Sequence, residues 1–422
     1  INAAPVRRSD CGNVLVFGNG DCGQLGLGED IMQRKKPYPL AALNSEQVVD
    51  IAAGGLHNMA LTADGRLFSW GCNDQRALGR EGDEMTPAEV KLPLPVPTGS
   101  ALHPLNEEQK ASVAANAEPM RIIKVACGDS ATVALTNYGV YSWGTYRSAE
   151  GLLGFNPERE IQATPVRIEG IDDEIVDLSV GADHVLALTR QGDVYGWGDG
   201  QQHQLGRRII ERRKRNGLRP TKLGLKHVVL IGTGAYHSFA VTETGDLYAW
   251  GLNNFHQCGV DPEDGGDEAI ITMPTLVRSL QGIPLAQVTG GEHHSLVLAA
   301  DGSVYGFGRS DSHQVGLPYT TLPEEVSGEP FDESEFQTHK KSINRPTKLS
   351  DCPLFRQLIC GSNHNLALTK EGGDVYSWGY GDMLALGNGE EEDVSTPTLI
   401  EGKRLEDARV INIAAGGQHS VL

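Results

Sequence analysis

An aromatic residue followed by glycine recurs seven times, as Phe17-Gly18, Trp70-Gly71, Trp143-Gly144, Trp197-Gly198, Trp250-Gly251, Phe307-Gly308 and Trp378-Gly379. All five tryptophans of the chain fall in this slot. Each pair ends an alternating segment such as Gly65-Arg66-Leu67-Phe68-Ser69-Trp70, and alternation of period two with aromatic residues predicts a half-buried strand. Upstream of most pairs lies a second strand, introduced by glycine and histidine, as in Gly54-Gly55-Leu56-His57-Asn58-Met59-Ala60-Leu61. Asp64-Gly65 or its equivalent joins the two as a hairpin turn. Downstream comes a Gln-Leu-Gly turn, as in Gln24-Leu25-Gly26 and Gln204-Leu205-Gly206.

A sheet this small cannot bury its own faces, whereas radial packing of such sheets buries both. The predicted fold is therefore all-β, a seven-bladed β-propeller with a repeat of about fifty residues. The chain ends support a closed ring. The first unit, from Asn13, lacks a histidine strand, and Gly416-Gly417-Gln418-His419-Ser420-Val421-Leu422 is a histidine strand with no aromatic-glycine strand after it. The two halves make one unit, unlike the polar end caps of an open solenoid. No long stretch has helical periodicity, and residues 1–422 read as one domain. Two wide intervals between pairs mark surface insertions at 93–119 and 318–346; the second is acidic, with Glu324, Glu325, Asp332, Glu333 and Glu335.

The 52 glycines are scattered, which fits many tight turns. No apolar run reaches the roughly 20 residues of a membrane span, and the N-terminus does not read as a signal peptide, so a soluble protein is expected. Seven cysteines without a CxxC pair argue for inert thiols in a reducing compartment, with no disulfide framework and no metal site. Net charge is −19, yet Arg207 to Lys226 holds nine Lys or Arg against Glu211 alone. From residues alone this is a solvated basic loop, a localisation signal or a docking surface for an anionic partner.

The units resemble the regulator of chromosome condensation family over essentially the whole chain. Gly20-Asp21-Cys22-Gly23-Gln24-Leu25-Gly26-Leu27-Gly28-Glu29, with Met32 and Arg34-Lys35-Lys36-Pro37, looks like the first blade of its animal members, the exchange factors for the small GTPase Ran. Gly71-Cys72-Asn73-Asp74 with Ala77-Leu78-Gly79-Arg80, and Glu84-Met85 before Pro87, match them as well. The resemblance implies a seven-bladed propeller that ejects GDP or GTP from Ran in the nucleus, acting as a monomer without a cofactor. Nucleotide and magnesium belong to the GTPase.

The resemblance also implies site residues. Asp21, Asp129, Asp183, His293 and His419 match the residues critical for exchange. The histidine slot (His57, His184, His237, His294, His364 and His419, with Ala131 as the exception) reads as structural from its recurrence, so only the family match singles out His419. His293 and Asp183 share the place just before that slot. Thr145-Tyr146-Arg147-Ser148-Ala149-Glu150-Gly151 replaces a Gln-Leu-Gly turn and matches the family's β-wedge, making Tyr146 and Arg147 contacts for Ran, with Arg207 another; the alternative is a merely irregular loop, with Arg207 a solvated surface arginine. The basic stretch coincides with the loop that docks on the histone acidic patch of the nucleosome. Arg208, Arg212, Arg213, Arg215 and Arg219 are its candidates, since the guanidinium fork pairs carboxylates bidentately. Lys222 and Lys226 are candidates for DNA phosphates. Residues 1–12 match the end of a basic tail, with Arg7 and Arg8, so little tail-mediated DNA binding is expected.

Two other classes remain. A propeller scaffold or chromatin adaptor without exchange activity would share the fold; a plant ultraviolet receptor of this kind needs extra tryptophans on the propeller face, and a ubiquitin ligase needs a catalytic domain. An enzyme making or breaking bonds would need a constellation such as HExxH, GxSxG or a P-loop, and none occurs.

Overall fold

The computed structural model describes all residues except 98, 101 and 319–341. Seven four-stranded antiparallel sheets form a ring of blades. Blade 1 joins both chain ends: Leu15–Asn19 and Gln33–Pro39 pair with His419–Val421 and Ala414–Ala415. Blades 2 to 7 begin with inner strands Val48–Ala53, Ile122–Cys127, Ile175–Val180, Val228–Thr233, Leu285–Gly290 and Phe355–Cys360. These inner strands line a central channel. The histidine strand and the aromatic-glycine strand follow outward, as their alternation predicts.

The repeat motif has a packing cause. Each blade from 4 to 6 presents the glycine of its turn to the aromatic ring of the next: a Cβ on Gly206 would lie 2.9 Å from Trp250 Nε1, and one on Gly259 2.8 Å from Phe307. Gly206 also has φ +68°, so the turn requires glycine twice over. The tryptophan indole N–H then donates to a turn carbonyl, as Trp250 does to Gln204 O at 2.9 Å and Trp143 to Ala77 O at 2.8 Å. All five tryptophans are fully buried, each worth roughly 2–3 kcal/mol of apolar burial.

The histidine slot is a clasp between blades. His57 Nε2 meets Thr132 Oγ1, His184 meets Ser238, His237 meets Ser295, His294 meets Asn365, His364 meets Ser420 and His419 meets Asn58, at 2.6–2.9 Å. Each partner sits just after the slot in the next blade and itself donates to a turn carbonyl, as Ser238 does to Gln204 O. One junction of seven lacks the clasp. Between blades 3 and 4, Ala131 stands for the histidine and Val185 for its partner, both buried.

The insertion at 93–119 is not wholly irregular. Its residues Glu107–Ala115 form an exposed helix, capped by Asn106, which accepts from Gln109 N while Gln109 caps in return. The second insertion ends before 346, because Ser342–Lys348 is the outer strand of blade 6; the acidic residues named there lie outside the described residues. Residues 1–12, expected as a tail remnant, are tied to the ring. The Asn2 amide donates to Thr189 O and Val228 O, Arg7 to Ala63 O, and Gly12 bridges Val48. No helix among the described residues is long and apolar enough to cross a membrane.

Candidate functional site

Where the inner strands turn into the histidine strands, backbone hydrogen bonds run around the channel mouth. Gly55 N–H donates to Gly128 O, Asp129 to Ala182, Ala182 to Ala235, Ala235 to Gly291, Glu292 to Ser362, Ser362 to Gly416 and Gly417 to Gly55, at 2.9–3.3 Å. Every junction between blades is bridged once, including the one without a clasp. The mouth is thus a rigid collar, and side chains on it are held by backbone rather than by mobile loops.

The collar carries Asp129 and Asp183 in neighbouring blades. Asp129 is open at the channel mouth, yet desolvation by the surrounding wall pushes its carboxyl up to about 6, helped by the Glu292 carboxylate; desolvation pushes the half-buried Asp183 up to about 7, helped by Asp129. His293 stands on the same rim in blade 6, and its ring is held below its ordinary range, chiefly by burial. Asp21 follows the aromatic strand of blade 1, whose Gly18 pairs with His419 at this same end. It is exposed, accepting from Asn19 Nδ2 at 3.2 Å, while that amide also reaches Gln418 Oε1 at 3.2 Å. Asp21, Asp129, Asp183 and His293, far apart in sequence, share one rim.

His419 does not join them. It is fully buried, and its Nε2–H donates to Asn58 Oδ1 at 2.6 Å. Its side chain is a clasp between blades 1 and 2, because the slot points every histidine into the neighbouring blade, so any part it plays in exchange is as a support and not as a surface contact.

The wedge is a two-stranded hairpin, Tyr146–Ser148 with Gly151–Gly154, projecting from blade 3. It hangs from blade 4. Arg147 N–H donates to Asp183 Oδ1 at 2.8 Å, and Ala149 N–H to Gln201 Oε1 at 2.9 Å. Tyr146 is another correction: it is buried, and its hydroxyl accepts from Trp197 Nε1 at 3.2 Å in place of the turn carbonyl that the wedge displaced. Its ring anchors the hairpin and cannot face a partner, whereas the Arg147 side chain is exposed.

The basic stretch begins with Arg207, which is turned inward: its guanidinium donates to Arg219 O at 3.2 Å and so braces the loop from below. Glu211–Leu218 is a kinked 3₁₀ segment against the wedge. Lys214 pairs with Glu150, and Arg219 pairs with Glu158 at 2.5 Å. Arg215 packs where a Cβ on Gly154 would be. Arg208, Arg212 and Arg213 are exposed, with no ion pair among the described residues. Lys222 and Lys226 part company with the loop. The strand at Thr221–Lys222 runs toward the other end of the blade, where Lys222 meets Asp173 at 3.0 Å and Asp193 at 3.2 Å, and Lys226 meets Asp193 at 2.7 Å. The expected single basic surface is divided, because a strand carries its residues across the blade.

Two groups escaped the sequence reading. Gln201 holds the wedge, and alignment of units would have found it, since Gly200-Gln201 matches Gly20-Asp21. Glu292 occupies the same repeat place as Asp129 and adds negative charge to the rim. All cysteines are free thiols, and the described residues hold no group of side chains fit for a metal ion.

A family model described as the RCC1-like domain matches residues 13–422. The chain is 40% identical to Protein pim1 of Schizosaccharomyces pombe over 100% of its own length and 76% of that protein. It is 35% identical to the guanine nucleotide exchange factor SRM1 of Saccharomyces cerevisiae, covering 97% of this chain and 86% of that one. The crystal structure of Prp20p from Saccharomyces cerevisiae, described with its binding to Gsp1p and histones, superposes with a TM-score of 0.85 at 34% identity, over 99% of this chain and 92% of that one.

Proposed function

The chain belongs to the RCC1-like family of Ran guanine-nucleotide exchange factors, and on that premise we propose which of its residues carry exchange and which carry docking. It catalyses nucleotide release from Ran in the nucleus and docks on chromatin through histones. No covalent bond is made or broken. By linkage, a factor that binds the nucleotide-free GTPase more tightly than the loaded one weakens nucleotide binding by the same factor. Accelerating release by about 10⁵ takes roughly 7 kcal/mol off the barrier, which is the scale of a broad interface rather than of one contact.

The exchange surface is the collar rim, with Asp21, Asp129, Asp183 and His293 presented to Ran and the exposed Arg147 side chain on the wedge beside them. The observation that carries this reading is the hydrogen bond from the wedge backbone to Asp183, which makes the projecting hairpin and the acidic rim one rigid unit. A rigid wedge can hold the partner's nucleotide site open, because a partner distorted against a fixed surface cannot relax by moving that surface. His419 and Tyr146 serve as supports. The nucleosome surface is the exposed arginine edge of the basic loop, Arg208, Arg212 and Arg213, beside the wedge; Lys222 and Lys226, already paired with acids, contribute to the other end.

Release of fluorescent GDP from Ran, with catalytic amounts of this protein and excess unlabelled nucleotide, tests the exchange reading. Acceleration with turnover is expected; an unchanged release rate removes it and leaves a chromatin-bound scaffold.

A further inference from the structure

His293 sits beside two residues that depart from the repeat. At the turn position of Phe255, the other Gln-Leu-Gly type turns carry Cys22, Gln75, Gln202, Ser312 and Met383, none of them aromatic. At the place of Arg309, just after the aromatic-glycine pair, the other blades carry Asn19, Cys72, Thr145, Asp199, Leu252 and Tyr380. Neither residue is needed to build a blade, yet Phe255 packs on the imidazole and Arg309 packs on Phe255. The Phe255 ring centroid lies 5.1 Å from that of His293 with the planes 52° apart. The Arg309 guanidinium lies 5.0 Å from the Phe255 centroid, a cation–π distance. Asp311 grips that guanidinium bidentately, at 2.8 Å for both bonds.

We propose that Phe255 and Arg309 are positioning residues for exchange: they fix the His293 ring in one orientation on the rim, so that it meets Ran without first giving up rotamer freedom. The inference rests on the reading of His293 as a rim contact. The stack goes Asp311, Arg309, Phe255, His293, and each member has its orientation set by the one before. The ring's own polar neighbours are too distant to do this. Glu292 Oε1 is 3.7 Å from His293 Nε2, and the Gln257 amide reaches Nδ1 only at 3.5 Å. The Tyr236 ring lies on the imidazole too, but farther away at 6.3 Å between centroids, so packing against Phe255 decides where the imidazole points.

The test uses the full chain with labelled histidine. Imidazole NMR signals of His293, assigned with His293→Gln, are recorded for wild type, Phe255→Leu, Phe255→Tyr and Arg309→Met, alongside exchange on Ran. Phe255→Leu is expected to move the His293 signals, through loss of the ring current, and to lower kcat/KM about threefold to tenfold. Phe255→Tyr is expected to restore both, and Arg309→Met to give a smaller change of the same kind. Unmoved His293 signals in Phe255→Leu would overturn the stack. Moved signals with unchanged exchange, while His293→Gln slows it, would overturn the positioning role. If His293→Gln itself leaves exchange unchanged, the rim reading beneath the inference fails instead.

Discussion

The Arg147 backbone N–H donates a 2.8 Å hydrogen bond to Asp183 Oδ1 across the junction between blades 3 and 4. This is the junction where the histidine clasp is replaced by Ala131 and Val185. The wedge and the missing clasp are parts of one alteration. Losing the Gln-Leu-Gly turn of blade 3 removes the carbonyl that a clasp partner in blade 4 would bind, so an apolar Val185 costs less there than an unsatisfied hydroxyl. Tyr146 then supplies the acceptor for Trp197, and Asp183 holds the hairpin that took the turn's place.

Asp183→Ala should slow exchange roughly tenfold to hundredfold, the scale of one hydrogen bond to a charged group, while leaving the fold intact. Partial burial raises this carboxyl to about 7, so the ionised form carries a desolvation cost in the folded state that offsets the hydrogen bond lost with the side chain. Asp183→Asn keeps an oxygen for the Arg147 N–H and should lose less. GDP-release kinetics and urea midpoints on the same three proteins check both halves.

His419→Ala and Asn58→Ala should resemble each other. Each breaks the same buried bond and should cost about 1–3 kcal/mol of stability, with a double variant costing less than the sum of the two. If His419 supports exchange only through this clasp, Asn58→Ala should reproduce its effect on GDP release. A loss confined to His419→Ala would restore a direct contact.

Acid should destabilise the ring. The slot histidines are buried and uncharged, with burial holding them at about 4 for His57, His294 and His364, about 3 for His184 and His419, and well below 6.5 for His237. A depressed value means stability present above the unfolded value of 6.5 and lost as pH falls from there toward the folded value. Asp129, Asp183 and Asp199, raised to about 6 or 7, act in the opposite sense. Near pH 5 the six slot imidazoles outweigh these carboxyls and Asp50, which burial also raises, and each proton of imbalance is worth about 1.4 kcal/mol per pH unit. Urea midpoints should therefore fall between pH 6.5 and pH 5; a flat profile would mean that the clasps accept protons in place.

Arg212→Ala with Arg213→Ala should weaken binding to mononucleosomes several-fold and leave GDP release within about twofold of wild type, since neither guanidinium braces the wedge. Lys222→Ala with Lys226→Ala should weaken nucleosome binding less, because both ammonium groups are already neutralised by Asp173 and Asp193. Gel-shift titrations at two salt concentrations separate the two pairs, the arginine pair having the larger effect at both.

The ring was legible in the chain because its signals are local. Alternation toward Trp70 or Trp250, the Asp-Gly turns and the split unit at Asn13 and Leu422 each depend on residues a few places apart, and backbone sterics read them the same way in every repeat. That Asp21, Asp129, Asp183 and His293 come to one rim followed from strand direction alone. What they touch did not. His419 and Asn58 are 361 residues apart, Arg147 and Asp183 are 36 apart, and neither spacing carries a pattern. Only the packing of one blade on the next turned a candidate contact, His419, into a buried clasp, separated Lys222 from the arginines before it, and set Phe255 against His293. Strands are specified by neighbours in the chain; the environment of a side chain is specified by neighbours in space, and in a closed ring those come from the adjacent blade.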